Sequence, residues 1–155
     1  MEKVNIGLLG LGNVGLGVYN ILNLNGNKIN VLANKEIEIT KILVNNVNKE
    51  RDISLAQNIL TSNINDILEA SDIDIVVEAL GGLHPAYEYI KLALLKKKNV
   101  VTANKAVIAT YGKELLKIAS ESHVSLRYEA SVCGGVPVIS TLSNALSVNK
   151  FDEII

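Results

Sequence analysis

Three glycines at fixed spacing constrain the fold of this chain more than any other feature of its sequence. They lie in the segment Gly10-Leu11-Gly12-Asn13-Val14-Gly15, directly after the apolar run of residues 4–9. Apolar residues at helical spacing follow the last glycine, so the segment joins a buried strand to an amphipathic helix. Strand, glycine turn and helix in this order predict a dinucleotide-binding α/β unit whose turn holds the pyrophosphate of NAD or NADP.

Each glycine in this turn has a separate physical role. We expect Gly10 to make the tight turn, Gly12 to let the backbone approach the pyrophosphate, and Gly15 to let the helix pack closely on the strand. The phosphates would then meet free N–H groups at the positive end of the helix. The predicted phosphate-binding residues are Gly10, Leu11, Gly12, Asn13, Val14 and Gly15. The alternative is a glycine-rich turn that binds no ligand.

Strand and helix patterns alternate along the rest of the chain. We predict strands at residues 4–9, 37–44, 59–61, 73–80, 99–102 and 124–129, and the start of another at 151. Helices are predicted from Asn13 and at residues 64–70, 85–97, 106–122 and 137–146, with a polar loop at 23–35. Strands separated by helices imply right-handed crossovers between parallel strands. The predicted fold class is therefore α/β, a Rossmann-type doubly wound parallel sheet.

The sequence offers several candidates for the residue that would hydrogen-bond the adenosine ribose. An acidic residue is expected at the end of the second strand, about 20 residues after the glycines. Glu36 and Glu38 have about that spacing, but they fall at the start of the predicted strand. Asn45 follows the end of that strand, and Lys49 or Arg51 could reach a 2′-phosphate. The sequence leaves the choice between NAD and NADP open.

The composition excludes several other classes of function. The 155 residues suffice for one domain, and the net charge of −1 gives no electrostatic case for binding nucleic acid or an anionic membrane. Only one cysteine is present, which fits a reducing compartment. We see no signal peptide and no apolar run of about 18 residues that would span a bilayer. The expected location is cytoplasmic, without nucleic-acid or membrane partners.

Three further segments carry a more specific resemblance. They are Glu78-Ala79-Leu80-Gly81-Gly82, Val101-Thr102-Ala103-Asn104-Lys105-Ala106, and Glu129-Ala130-Ser131-Val132-Cys133-Gly134-Gly135-Val136-Pro137. In this order, with Pro85 between the first two, they resemble the signatures of homoserine dehydrogenases. The resemblance covers essentially the whole chain. Asn45-Asn46 replaces the Arg-Asp pair of many members, which puts an NADP preference in doubt, and Cys133 replaces the usual alanine.

This resemblance implies an oxidoreductase activity. Members of the family interconvert L-homoserine and L-aspartate 4-semialdehyde with NAD or NADP, in the biosynthesis of threonine and methionine. It implies a dinucleotide-binding domain over residues 1–133, and the start of a substrate and dimerisation domain over residues 134–155. Because most of that second domain lies beyond Ile155 in the family, we expect this chain alone to be inactive. We also expect the enzyme to be a homo-oligomer. The alternatives are an NAD(P)-binding module without catalysis, or another amino-acid dehydrogenase of the same fold.

The resemblance and the sheet geometry together indicate a second group of site residues. In open α/β sheets, ligands bind beyond the carboxyl ends of the strands. Lys105 follows one such strand end and is the candidate catalytic residue, between nicotinamide and substrate. The alternative is a solvated lysine at the start of a helix. Further cofactor contacts are expected from Asn45, Leu80, Gly81, Gly82, Thr102 and Asn104, although plain turns and loop capping are competing interpretations.

The family also implies a monovalent cation, commonly sodium. Its ligands would come from Glu129, Val132, Gly134 and Val136, with main-chain carbonyls serving at the valines. The alternative is a tight connection between a strand and a helix.

Other polar residues are expected to have structural roles. His84 and His123 have no partners at zinc-ligand or catalytic-triad spacing. We predict small-residue packing for Cys133, a solvated helix end for the run Lys96-Lys97-Lys98, and a surface ion pair between Glu114 and Lys117.

Overall fold

The computed structural model describes residues 1–51, 53, 55–56 and 58–146. Within these residues, the strands are β1 (Glu2–Leu9), β2 (Lys35–Leu43), β3 (Leu60–Thr61), β4 (Ile75–Glu78), β5 (Asn99–Thr102) and β6 (Leu126–Arg127). They form one parallel sheet in the order β3-β2-β1-β4-β5-β6. The order changes direction between β1 and β4, and this switch point is where α/β sheets of this kind open a crevice for ligands.

Helices cover both faces of the sheet. They are α1 (Asn13–Ala33), α2 (Asn65–Leu68), α3 (Ala86–Leu95), α4 (Lys105–Glu121) and α5 (Val138–Leu146), with a 3₁₀ turn at Glu129–Ser131. The predicted Rossmann-type doubly wound sheet is confirmed. None of the described helices combines the length and the apolar character needed to cross a membrane. The strand predicted from residue 151 lies outside the described residues.

The core consists of two apolar layers, one on each face of the sheet. On β1, Ile6 and Leu8 face the layer beneath Tyr19 of α1, whereas Leu9 faces the layer beneath α3 and α4. This alternation follows from the two-residue period of a strand, and it requires apolar residues at successive positions because both faces are covered. Burial of these side chains holds the carboxyl end of β1 firmly between the two layers.

The prediction of a loop at residues 23–35 is wrong, because α1 continues to Ala33. Val18, Leu22 and Ile29 are partly buried, so a helical stripe runs through the asparagine-rich stretch. Packing of this stripe outweighs the intrinsic cost of asparagine in a helix, about 0.7 kcal/mol per residue. Asn34 then ends the helix in the left-handed region at φ 51°.

The lysine run after α3 also differs from the prediction of a solvated helix end. Lys97 adopts φ 59°, and the N–H of Lys98 donates to the Ala93 carbonyl, so the helix ends in a Schellman motif. This turn directs the Lys98 side chain into the protein, where only 6% of the residue is exposed. Its ammonium donates to the carbonyls of Ala70 (2.6 Å) and Ile73 (2.8 Å).

Three smaller predictions are also corrected. Glu114 pairs with Lys91 at 2.8 Å, and Lys117 instead faces Glu121 at 3.8 Å. Cys133 is exposed and therefore does not pack as a small core residue. The last strand is shorter than predicted, because the chain enters the 3₁₀ turn at Glu129.

Candidate functional site

The glycine turn has the backbone geometry that its sequence predicts. Gly10 has φ 96°, and a Cβ at that position would lie 2.9 Å from the carbonyl oxygen of Ala79. A Cβ on Gly15 would lie 2.0 Å from the carbonyl oxygen of Gly10, so α1 packs directly on the turn. Around Gly12, by contrast, no described atom beyond its chain neighbours lies within 4 Å of a Cβ position. The fold therefore requires two of the glycines, and the third faces open space.

The N-terminus of α1 is open for an anion. Gly12 is the N-cap residue, no described side chain caps the helix, and its first turn contains no acidic residue. The N–H groups of Asn13 and Val14 belong to the first turn, where helix geometry provides no carbonyl partner. Both residues border a cleft, so these N–H groups and the positive end of the helix dipole lie beside open space.

Two clefts lie side by side at this edge of the sheet. The first has a volume of about 290 Å³ and is bordered by Gly81 and Asn104 on the β4–β5 side. The second, of about 310 Å³, is bordered by Leu11, Asn45 and Arg51 on the β2 side. The residues that border both are Gly12, Ala79 and Leu80. The arrangement suits an elongated ligand with an anionic centre over the helix end and one half in each cleft.

The β2-side cleft carries amide and cationic side chains. Asn45, Asn46, Lys49 and Arg51 all border it. The guanidinium of Arg51 donates to the carbonyls of Lys49 (2.7 Å) and Asn46 (2.8 Å), which holds this loop together. Glu36 lies near the start of β2, as does Glu38, so neither reaches the carboxyl end of the strand.

The β4–β5-side cleft is bordered by Gly81 and by Asn104, the N-cap residue of α4. Gly81 and Gly82 have φ 80° and 73°, a conformation that side-chain-bearing residues rarely adopt. The Asn104 side chain donates to the Gly82 carbonyl at 2.7 Å. Its Oδ1 accepts from the Val107 N–H at 3.1 Å and caps α4. Asn104 therefore ties the glycine loop to the start of α4, and the loop-capping interpretation holds for this side chain.

Sequence reasoning missed a buried carboxylate behind this cleft. Glu78, the last residue of β4, is fully buried. Its Oε2 accepts from the Thr102 hydroxyl at 2.5 Å, and its Oε1 accepts from the Leu80 N–H at 2.8 Å. Thr102 is itself fully buried and accepts from the Asn104 N–H at 3.0 Å, so it supports the wall of the cleft from behind. The available signal was a charged residue at the end of an otherwise apolar strand.

Lys105 lies at the first position of α4 and is exposed. It directly follows Asn104, which borders the β4–β5-side cleft. A cation at the N-terminus of a helix is disfavoured by the helix dipole, by about 0.3–1 kcal/mol. The fold thus retains a positive charge next to a residue of the cleft wall despite an unfavourable local position.

The predicted cation ligands lie in the connection between β6 and α5. Both carboxylate oxygens of Glu129 accept from α5, one from the Ile139 N–H (2.8 Å) and one from the Ser140 N–H (2.9 Å). Burial raises the pKa of Glu129, but the N–H donors of α5 outweigh it and lower that pKa overall. The Val136 carbonyl accepts from the Val138 N–H.

Glu129 is engaged as a cap of α5. The sodium site stays a prediction, because its other ligands would be main-chain carbonyls. Val132 and Gly134 belong to the same connection, which turns through positive φ at Cys133 and Gly134. The contacts support the alternative of a tight connection, and no step below uses a cation.

Comparison with known proteins identifies the family. The sequence profile described as "Homoserine dehydrogenase, NAD binding domain" matches residues 10–129. The chain belongs to the homoserine dehydrogenase family. The homoserine dehydrogenase of Bacillus subtilis is 38% identical over 154 residues, which cover 99% of this chain and 36% of that protein. The homoserine dehydrogenase of Synechocystis is 42% identical, and the match covers 98% of this chain and 35% of that protein. The chain thus spans about a third of these relatives.

Solved homoserine dehydrogenases share the fold. The enzyme from Thiobacillus denitrificans superposes with a TM-score of 0.87 at 40% identity, covering 96% of this chain and 34% of that one. The Staphylococcus aureus enzyme at pH 8.5 gives a TM-score of 0.82 at 44% identity, covering 87% of this chain and 34% of that one. The glycine turn and the two clefts therefore belong to the NAD-binding domain of this family.

Proposed function

We propose that this domain binds NAD or NADP across the two clefts and forms the cofactor half of a homoserine dehydrogenase. The observation that carries the proposal is the open end of α1 at Gly12, which borders both clefts. A Cβ there would project into the space that the diphosphate needs. In support, an archaeal homoserine dehydrogenase of the same fold, 23% identical with a TM-score of 0.68, was solved in complex with NADPH.

We assign the two ends of the cofactor from the chemistry of the clefts. The adenosine half fits the β2 side, where Asn45 can bond the ribose and Lys49 lies at the same cleft. No described acidic side chain borders that cleft, so nothing there repels a 2′-phosphate. The nicotinamide half fits the β4–β5 side, beside Gly81 and Asn104.

We assign Lys105 to the proton chemistry of the reaction. When bound, the cofactor supplies the hydride acceptor. Oxidation of L-homoserine to L-aspartate 4-semialdehyde removes a hydride from carbon and a proton from the hydroxyl, so a group beside the nicotinamide cleft must receive that proton. Lys105 directly follows Asn104, which borders that cleft, and a neighbouring group from the rest of the enzyme would complete the site. The threonine and methionine pathways and the cytoplasm follow as the expected setting.

A chimera tests the proposed activity. Residues 1–155 joined to the remaining two-thirds of the Bacillus subtilis relative should oxidise L-homoserine with reduction of NAD or NADP. Lys105→Ala should lower kcat by about 10²- to 10⁴-fold. Lys113→Ala, at another exposed lysine of α4, should leave kcat unchanged. A folded chimera that binds cofactor but keeps full turnover without Lys105 would refute the assignment of Lys105. A folded chimera that binds cofactor but has no turnover would contradict the proposed activity.

We also propose that the protein self-associates through a second copy of the chain. Helix α1 exposes Ile21, Leu24, Val31 and Leu32, and Lys28 is its only charged residue. Several exposed apolar side chains on one helix face, here on both sides of Lys28, are typical of an interaction site. Light scattering should give a mass above that of the monomer, and Leu24→Lys should lower it. A monomer at high concentration would contradict the proposal.

A further inference from the structure

The buried Glu78 has no function in the proposal above. It is the carboxylate behind the β4–β5-side cleft, to which we assigned the nicotinamide and which is called the nicotinamide cleft below. A fully buried charge is expensive unless it is compensated. Within the described ranges, no lysine, arginine or histidine forms an ion pair with Glu78. A hydrogen-bond framework alone therefore retains this side chain, and the position calls for an explanation beyond packing.

The neighbours of Glu78 present hydrogen-bond donors to both of its carboxyl oxygens. The Leu80 N–H donates to Oε1, and the Asn104 amide nitrogen lies at 3.5 Å from the same oxygen. The Thr102 hydroxyl oxygen accepts from the Asn104 N–H, so its own proton points to Glu78 Oε2. Donors surround the carboxyl group on both oxygens, which favours the form that only accepts hydrogen bonds.

This negative charge lies at the cleft wall itself. Glu78 itself borders the β4–β5-side cleft, together with Gly81 and Asn104. The nicotinamide ring is cationic in the oxidised cofactor and neutral in the reduced one. A fixed buried charge of this kind therefore interacts differently with the two redox forms.

We propose that Glu78 is a positioning residue whose buried charge makes the nicotinamide cleft favour the oxidised cofactor over the reduced one. The inference rests on the proposed function, because it needs the nicotinamide in this cleft. A purely structural role makes a different prediction, since loss of the hydrogen-bond framework would weaken both redox forms equally.

The test compares two dissociation constants on the same variant. Calorimetry with NADP⁺ and NADPH, or with NAD⁺ and NADH if these bind more tightly, gives the ratio Kd(oxidised)/Kd(reduced). In Glu78→Gln this ratio should rise about tenfold, the order expected for one charge–charge interaction near a protein surface. Thr102→Val removes a hydrogen bond and keeps the charge, so it should weaken both forms and leave the ratio unchanged.

The outcomes separate the two proposals. A wild-type chain that binds neither form contradicts the proposed function. A wild-type chain that binds both, with an unchanged ratio in folded Glu78→Gln, overturns the role of Glu78 alone. Should Glu78→Gln fail to fold by circular dichroism, ADP-ribose serves as the reference on the wild-type chain. Relative to ADP-ribose, the oxidised cofactor should then gain at least as much affinity as the reduced cofactor. A larger gain for the reduced cofactor overturns the inference.

Discussion

Lys98 shows how one residue can join parts of the chain that are far apart in sequence. Its ammonium bonds the carbonyls of Ala70 and Ile73 and so fixes the turn that leads into β4. Burial lowers the pKa of Lys98, and the nearby carboxylates of Asp72 and Asp74 partly offset that effect. The hydrogen bonds to these two main-chain oxygens offset the cost of burying the ammonium group.

We therefore expect Lys98→Met to lower the free energy of unfolding by about 1–3 kcal/mol, because two carbonyls lose a charged donor while the apolar stem is kept. The exposed neighbour provides the control, since Lys97→Met should change stability by no more than about 0.5 kcal/mol. Urea unfolding of both variants measures the difference. Equal stability of Lys98→Met and the wild-type chain would show that the two hydrogen bonds contribute nothing.

At the residue scale, the sequence predicted what depends on local backbone geometry. Gly10 and Gly15 were assigned correctly because turn geometry and close helix contact require the absence of a Cβ. The contacts of Lys98 and Glu78 were not predicted, since their partners lie 28 and 24 residues away, at Ala70 and Thr102. No pattern within one segment encodes such a pair.

At the scale of elements, α5 is attached to the sheet through Glu129. Its carboxylate accepts two N–H groups of the first turn of α5, where an anion also complements the helix dipole. Burial opposes the charge, yet the pKa of Glu129 is lowered overall from its ordinary value of 4.5. A carboxyl group with a lowered folded pKa stabilises the structure above 4.5, and this contribution is lost as pH falls through the folded pKa.

The amide resonances of Ile139 and Ser140 should report this titration. In the wild-type chain, NMR shifts of these two N–H groups should change with a midpoint below pH 4.5, because they bond the titrating carboxylate. In Glu129→Gln, the same shifts should not titrate in this range. A midpoint at or above 4.5 would mean that α5 does not stabilise the carboxylate.

Element types were predictable, whereas several element ends were not. Strand β5 has the predicted bounds because a short apolar run is enclosed by polar residues on both sides. Helix α1 is longer than predicted because its second half is rich in asparagine, which is typical of a loop, whereas tertiary packing of Leu22 and Ile29 continues the helix. Asn34 then ends the helix without a glycine, so the usual C-terminal signal is absent from the sequence.

For the whole molecule, one topological fact places the site. The sheet order reverses between β1 and β4, which brings the glycine turn, the Gly81-Gly82 loop and the start of α4 to a common edge. The alternating pattern and the crossover rule predict this arrangement from the sequence.

The central claim is that main-chain N–H groups at the start of α1 bind the diphosphate of the cofactor. Calorimetric titration of NAD and NADP into the wild-type chain and Gly12→Val tests it most directly. The wild-type chain should bind at least one of them, and Gly12→Val should lose binding while keeping its circular dichroism spectrum, because φ at Gly12 is −81° and the space around it is open. A folded Gly12→Val variant with unchanged affinity would place the diphosphate elsewhere and contradict the account.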